Sequence, residues 1–210
     1  GWTDKKGSPT YCLEGSLFNA GTVVQWLRDN LQIIKSAEQV NTLANEVENA
    51  AGVMFVPAFT GWGTPHWDPN ARGIVLGLTR DTQRGHLARA ALEGIALSVA
   101  TLVKAAEKSL GQELKEIAVD GGAAASNPLL EAQANSTGLP IRRPMNLEST
   151  ARGVALLAGL HCGGIGNINE LIKERHKDSE VIMPNMNEVE REKWLSKWNE
   201  AVQRSLGWHE

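Results

Sequence analysis

Residues 119–128 read VDGGAAASNP, with two adjacent glycines, Gly121 and Gly122, between an acid and the pair Asn127-Pro128. A backbone without Cβ atoms can lie close against a flat ring or a phosphate. Free N–H groups and the positive end of a following helix attract an anion, each charge contact contributing about 0.3–1 kcal/mol. The same string also serves as a tight connection from strand to helix. Neither GxxxxGK[ST] nor GxGxxG is present to decide between them, so both readings stay open. A second glycine, Gly21, opens the apolar stretch GTVVQWLRD, and Gln25 lies one helical turn further on the same face. Its amide could reach back over Gly21, or the pair is an ordinary helix start with a surface glutamine.

Other groups read as structural. His66, Trp67 and Asp68 form a polar-aromatic cluster in a Gly/Pro-rich loop, without a nucleophile in Ser/His/Asp order, and are expected to pack the loop. His161 beside Cys162 ends an alanine-rich helical stretch rather than marking a reactive thiol. No pair of carboxylates is placed as an acid/base couple. Cys12 and Cys162 have no CxxC or Cys/His spacing, so neither a disulfide framework nor a zinc site is expected; reduced thiols in a cytoplasmic protein are. A formal charge of -3 over 210 residues leaves no electrostatic footprint for nucleic acid or an anionic membrane. No apolar run reaches the roughly 18 residues that span a bilayer. The opening GWTDKKGSPT has no apolar core of a signal peptide, and residues 1–10 read as the cut edge of a longer chain.

The elements that must carry these residues follow from hydrophobic period and punctuation. A strand or a short hairpin is expected at 11–18, and strands at 53–59, 74–79, 114–120 and 139–144. Helices are expected at 20–30, at 36–47 behind a Ser36/Gln39 capping box, at 82–109 stopped by Gly111, and at 127–137. Two more are expected at 149–163, rich in small residues and able to pack closely, and at 188–208, with Trp194, Leu195, Trp198, Val202 and Leu206 on one stripe. Asn127 before Pro128 reads as the N-cap of its helix. The alternation of strand and helix argues for one domain of α/β layer architecture.

Four stretches then occur in order: YCLEGSLFNAGTVVQWLRD, VPAFTGWGTPHWDPNARGIVLGLTR, VDGGAAASN and ESTARGVALLAGL. Together, from Tyr11 to Trp208, they resemble the C-terminal domain of the FGGY carbohydrate kinases, most closely the members that phosphorylate glycerol. The resemblance implies an actin-like, ribonuclease H-like α/β fold in which two domains enclose ATP and a polyol. Residues 1–210 would be the second, nucleotide-binding domain. It further implies that Gly21, Gln25 and Gly122 contact ATP, together with a polar residue four positions after Gly122. That position is usually Asn in the family and is Ser126 here, with Asn127 beside it. Losing one hydrogen bond there would cost about 0.5–1.5 kcal/mol.

The family's general-base aspartate, first phosphate loop and polyol-binding residues belong to the N-terminal domain, and nothing matching them precedes Tyr11. The resemblance therefore implies no catalytic residue and no protein metal ligand in this chain, which is expected to be inactive alone. Mg2+ would come with ATP, and glycerol or a related polyol would be bound mainly by the other domain. A homodimer or homotetramer is the family habit. Another FGGY sugar kinase, such as a pentulose kinase, and a non-catalytic nucleotide-binding or interaction module of the same fold remain as alternatives.

Overall fold

The computed structural model describes residues 2–3, 9–164 and 179–209. Its architecture is set by the helix Arg84–Leu110 (27 residues), whose sequence alternates alanines and leucines at three- and four-residue steps. The Gln83 N–H donates to His86 Nδ1 at 3.0 Å at its start. Gly111, with φ of 65°, ends it in the left-handed conformation that a glycine adopts without strain. By length and composition this helix could cross a membrane, but 61% of its most apolar stretch is buried inside the protein.

Two short helices precede it, α1 at Gly21–Asp29 and α2 at Gln39–Asn45; Arg84–Leu110 is α3. Strand β3, Met54–Val56, follows the N-terminal pair β1 (Trp2–Thr3) and β2 (Pro9–Thr10), which are antiparallel. β3 pairs antiparallel with β4, Ile74–Leu76, in the register Met54↔Leu76, Phe55↔Val75 and Val56↔Ile74. α3 lies directly on this ribbon: a Cβ on Gly94 would stand 2.1 Å from the Phe55 carbonyl oxygen. The missing side chain is what lets helix and strand backbones touch.

The second half is a strand, helix, strand unit. β5 (Ile117–Ala118) leads through a 3-10 turn at Gly122–Ala125 into α4 (Asn127–Thr137), which returns to β6 (Ile141–Pro144), parallel to β5. Parallel neighbours need such a crossover. β7 (Ser179–Ile182) adds an antiparallel edge to β6. α4 packs along α3, and the buried Ser136 hydroxyl donates across that seam to the Ala96 carbonyl at 3.2 Å. α5 is Ser149–His161, and α6, Glu188–Ser205, closes the other side of α3. Its N-cap Asn187 accepts from the Glu190 N–H at 3.0 Å. Leu195, Trp198 and Val202 are buried, and Trp198 Nε1 donates to Thr101 Oγ1 at 2.9 Å. One core cluster joins α1, α2, β3, α3 and α4; a second joins α3, α6 and the 56–71 stretch; a third holds the β5–β7 sheet against α4.

Several expectations are corrected. Residues 11–18 form no strand: Tyr11 and Leu13 are exposed, and among the described residues the stretch is hydrogen-bonded to the rest only between Ser16 and Thr64, at 3.0 Å in each direction. One such pair does not make a ladder. α2 begins at Gln39, not Ser36, because Gln39 Oε1 accepts from the Lys35 N–H at 2.7 Å and Ser36 caps nothing. The N-cap of α4 is Ser126 rather than Asn127, since Ser126 Oγ accepts from the Leu129 N–H at 3.3 Å. α5 forms but buries none of its residues, so its small side chains are not used for close packing here. β7 lacks the length and alternation that would have announced it, and α6 ends at Ser205 rather than 208.

Gly94→Ala is expected to destabilise the protein by about 3 kcal/mol, since overpacking against backbone cannot relax by side-chain rotation. A urea or thermal melt of the variant measures this.

Candidate functional site

β5 ends at Ala118, and the chain turns at Gly121, whose φ of 76° and ψ of 177° suit glycine. The Gly121 N–H donates to the Leu147 carbonyl at 3.0 Å, which pins the turn to the segment after β6. The 3-10 turn then starts at Gly122, and its first N–H groups have no intrahelical acceptor. Gly122 differs from its neighbour in that its φ is not positive; like Gly121, it has no atom beyond its chain neighbours within 4 Å of where its Cβ would be. Neither backbone conformation nor packing within this chain calls for glycine there. Gly21 at the first position of α1 is likewise exposed with open space around its missing Cβ, although glycine in a helix costs about 0.5–1 kcal/mol relative to alanine. Gln25 is exposed on the same helix and takes no side-chain partner among the described residues.

The two polar side chains after Gly122 are used differently. Ser126 is 8% exposed, and its hydroxyl donates to Asn41 Oδ1 of α2 at 2.6 Å while accepting from the Leu129 N–H. Its cap therefore also ties the turn to a helix 85 residues earlier. Asn127 is exposed, and its Oδ1 accepts from Arg143 Nη1 at 2.7 Å. The fold thus brings Gly122, Ser126 and Asn127 into one turn. Gly21 and Gln25 stand apart on α1, joined to that turn through the core that Val23, Leu27, Val40 and Leu129 share. Asn41 and Arg143 carry the contacts that the sequence did not announce; the one available signal was the paired basic residues of IRRP in a short strand.

His66 and Asp68 pack their loop, as expected, whereas the Trp67 side chain does not: it is 62% exposed. The Asp68 carboxylate accepts from the N–H groups of Gly207 at 2.7 Å and Asn70 at 2.8 Å, which hold it below the usual carboxylate range. His66 meets Trp62 edge-on, and burial lowers its pKa. Among the described residues no three His, Cys, Asp or Glu side chains converge as a metal site. A cavity of about 780 Å³ lies away from the turn, between the α2–β3 connection, α3, α4 and α6. Its lining carries both signs of charge and includes the pair Arg89 Nε to Glu93 Oε1 at 3.1 Å. It touches none of the residues proposed for the nucleotide.

Residues 1–162 match the sequence profile of the FGGY family of carbohydrate kinases, C-terminal domain. The chain belongs to that family. A glycerol kinase of Deinococcus radiodurans is 45% identical over 204 residues, which cover 97% of this chain and 40% of that protein. The solved structure of Plasmodium falciparum glycerol kinase with ADP superposes with a TM-score of 0.81 at 32% identity, over 89% of this chain and 37% of that one. A ligand-bound xylulose kinase from Lactobacillus acidophilus follows at a TM-score of 0.66 and 25% identity, over 91% and 38%. The chain therefore spans about two fifths of the length of these relatives. Its fold is the actin-like, ribonuclease H-like α/β fold of those kinases.

Within the cavity, burial pushes the Glu93 carboxyl above its usual range, and Arg89 pulls it partly back. Between the ordinary and the raised value, folded Glu93 holds a proton that the unfolded chain releases, so stability falls as pH rises through that window. Glu93→Gln is expected to flatten this dependence. Melting midpoints from pH 4 to pH 8 measure it, and an unchanged slope would contradict it.

Proposed function

We propose that this chain is the nucleotide-binding half of an ATP-dependent glycerol kinase, which moves the terminal phosphoryl group of MgATP to a glycerol hydroxyl, giving glycerol 3-phosphate and ADP. The observation that carries the reading is that two glycines at the start of helical turns are not needed by the fold; Gly153, inside α5, shares their openness but not their place at a helical start. Gly21 and Gly122 each open a helical start, and each faces empty space where a side chain would fit. A ligand that must approach backbone closely accounts for both. The relatives' names support glycerol as substrate, and the Plasmodium relative was solved with ADP.

In this reading the residues of the chain bind and orient. The leading N–H groups of the Gly122 turn meet acceptor oxygens of the nucleotide, and the positive end of α4 favours their charge. Gln25 offers its amide from α1, and Asn127 is a better placed contact than Ser126, whose hydroxyl is occupied and buried. Magnesium, when bound with ATP, supplies charge neutralisation on the phosphates. Its usual preference for phosphate and water oxygens suits a site without a protein cage. Phosphoryl transfer needs positioning from both sides of the nucleotide, so the general base and the polyol site are assigned to an N-terminal domain. The exposed apolar residues Val154 and Leu157 of α5, with Tyr11, Leu13 and Phe18, offer surface for that domain to cover. The xylulose kinase likeness keeps a pentulose substrate as the second reading; a polyol and ketose panel with the complete enzyme separates them.

Gly122→Ala is expected to weaken ADP binding at least tenfold, which corresponds to about 1.4 kcal/mol, while leaving the melting midpoint unchanged. Titration calorimetry and a thermal melt read the two quantities. The chain alone, mixed with glycerol and MgATP, is expected to release ADP no faster than background in a coupled assay. Turnover clearly above background would defeat the assignment of catalysis to another domain.

A further inference from the structure

Arg143 is the one cation that touches the glycine turn among the described residues. It sits on β6 opposite Glu180 of β7, in direct cross-strand register, and its side chain is 17% exposed. Its neighbour Arg142 points to the other face of the strand, where it pairs with Glu116 at 2.7 Å. Arg143 Nε donates to Glu180 Oε2 at 3.2 Å, and its Nη2 makes a second, shorter bond to the same oxygen. Nη1 is turned to the glycine turn, where it donates to the Ala124 carbonyl at 3.2 Å and to Asn127 Oδ1 at 2.7 Å.

This arrangement settles the orientation of an amide. A guanidinium carries donors and no acceptor, so only the oxygen of Asn127 can face it. The Asn127 NH2 group is therefore turned away from Arg143, on an exposed residue one position after the helix cap. Ser126 has spent its proton on Asn41 and a lone pair on Leu129, so it presents no free donor. We infer that Arg143 is a positioning residue for the nucleotide: it fixes the amide of Asn127 so that the turn presents a donor to an acceptor atom of the ligand. Glu180 holds the guanidinium in place for this task. Lysine would not replace it, because a single ammonium cannot span Glu180, Ala124 and Asn127 in the geometry of a planar fork.

The inference rests on the nucleotide reading of the turn. Its test is a double-mutant cycle on ADP affinity, using Arg143→Ala, Asn127→Ala and the pair, with Arg143→Lys and Asn127→Asp as controls. If Arg143 acts through Asn127, each alanine variant binds about tenfold more weakly, and the pair binds no more weakly than Asn127→Ala by more than about twofold. Asn127→Asp keeps an oxygen for Arg143 and is expected to melt no lower than wild type, yet to lose at least as much affinity as Asn127→Ala, because it lacks the donor. Arg143→Lys is expected to lose about threefold or more, and serves as the reading should Arg143→Ala not fold. Independent losses that multiply to about a hundredfold, or wild-type affinity in Arg143→Lys or Asn127→Asp, would overturn the inference alone. A wild-type chain that binds no ADP would overturn it together with the reading beneath it.

Discussion

The close contact of α3 with the backbone of β3 is the constraint from which the rest of the structure hangs. With no side chain at Gly94, the helix settles onto the Phe55 carbonyl, and Gly85 allows a similar approach to Leu43 of α2. That depth brings Ala88, Ala91, Leu92 and Ile95 into one cluster with α1 and α2, and leaves the Ala96 carbonyl near enough to accept a hydrogen bond from the Ser136 hydroxyl of α4. α4 is thereby fixed along α3. Since α4 begins at the glycine turn, the packing of a long buried helix sets where a surface turn stands.

The turn itself is held from two sides by groups that never leave the protein. Ser126 anchors it to Asn41 of α2, and Arg143 anchors it to the β6–β7 edge. Between these anchors, Gly122 has neither a strained φ nor a neighbour within reach of a Cβ. A turn that is rigidly placed and yet open at its centre suits a ligand that brings its own acceptors, because binding then orders little protein. The 780 Å³ cavity has the volume such a ligand would need, but its walls mix carboxylates with lysines and do not reach the turn.

Much of this was legible in the sequence, and the exceptions have physical causes. α1, α3 and α6 could be placed from the helical spacing of their apolar residues, and α4 from the helix start that Pro128 marks. The fold class followed from their alternation with apolar runs, and the family from four ordered motifs. Residues 11–18 differ from the expected strand or short hairpin because aromatic and aliphatic residues state a preference, whereas a strand also needs a partner to bond, and only Ser16 finds one. The cap of α4 was assigned one residue late because both Ser126 and Asn127 are good caps, and the choice depended on Asn41, 85 residues away. The roles of Arg143 and Glu180 were out of reach for the same reason: they arise from cross-strand register, and β7 is four residues long.

The central claim is that the nucleotide sits on the Gly122 turn and the Gly21 start of α1. Backbone amide chemical shifts of the chain, recorded while ADP is added, test it most directly. The account predicts that the largest changes fall on residues 121–127 and 21–25, with Lys193, Lys197 and the other cavity residues little affected. Changes concentrated on the cavity, with the Gly122 turn unmoved, would contradict it.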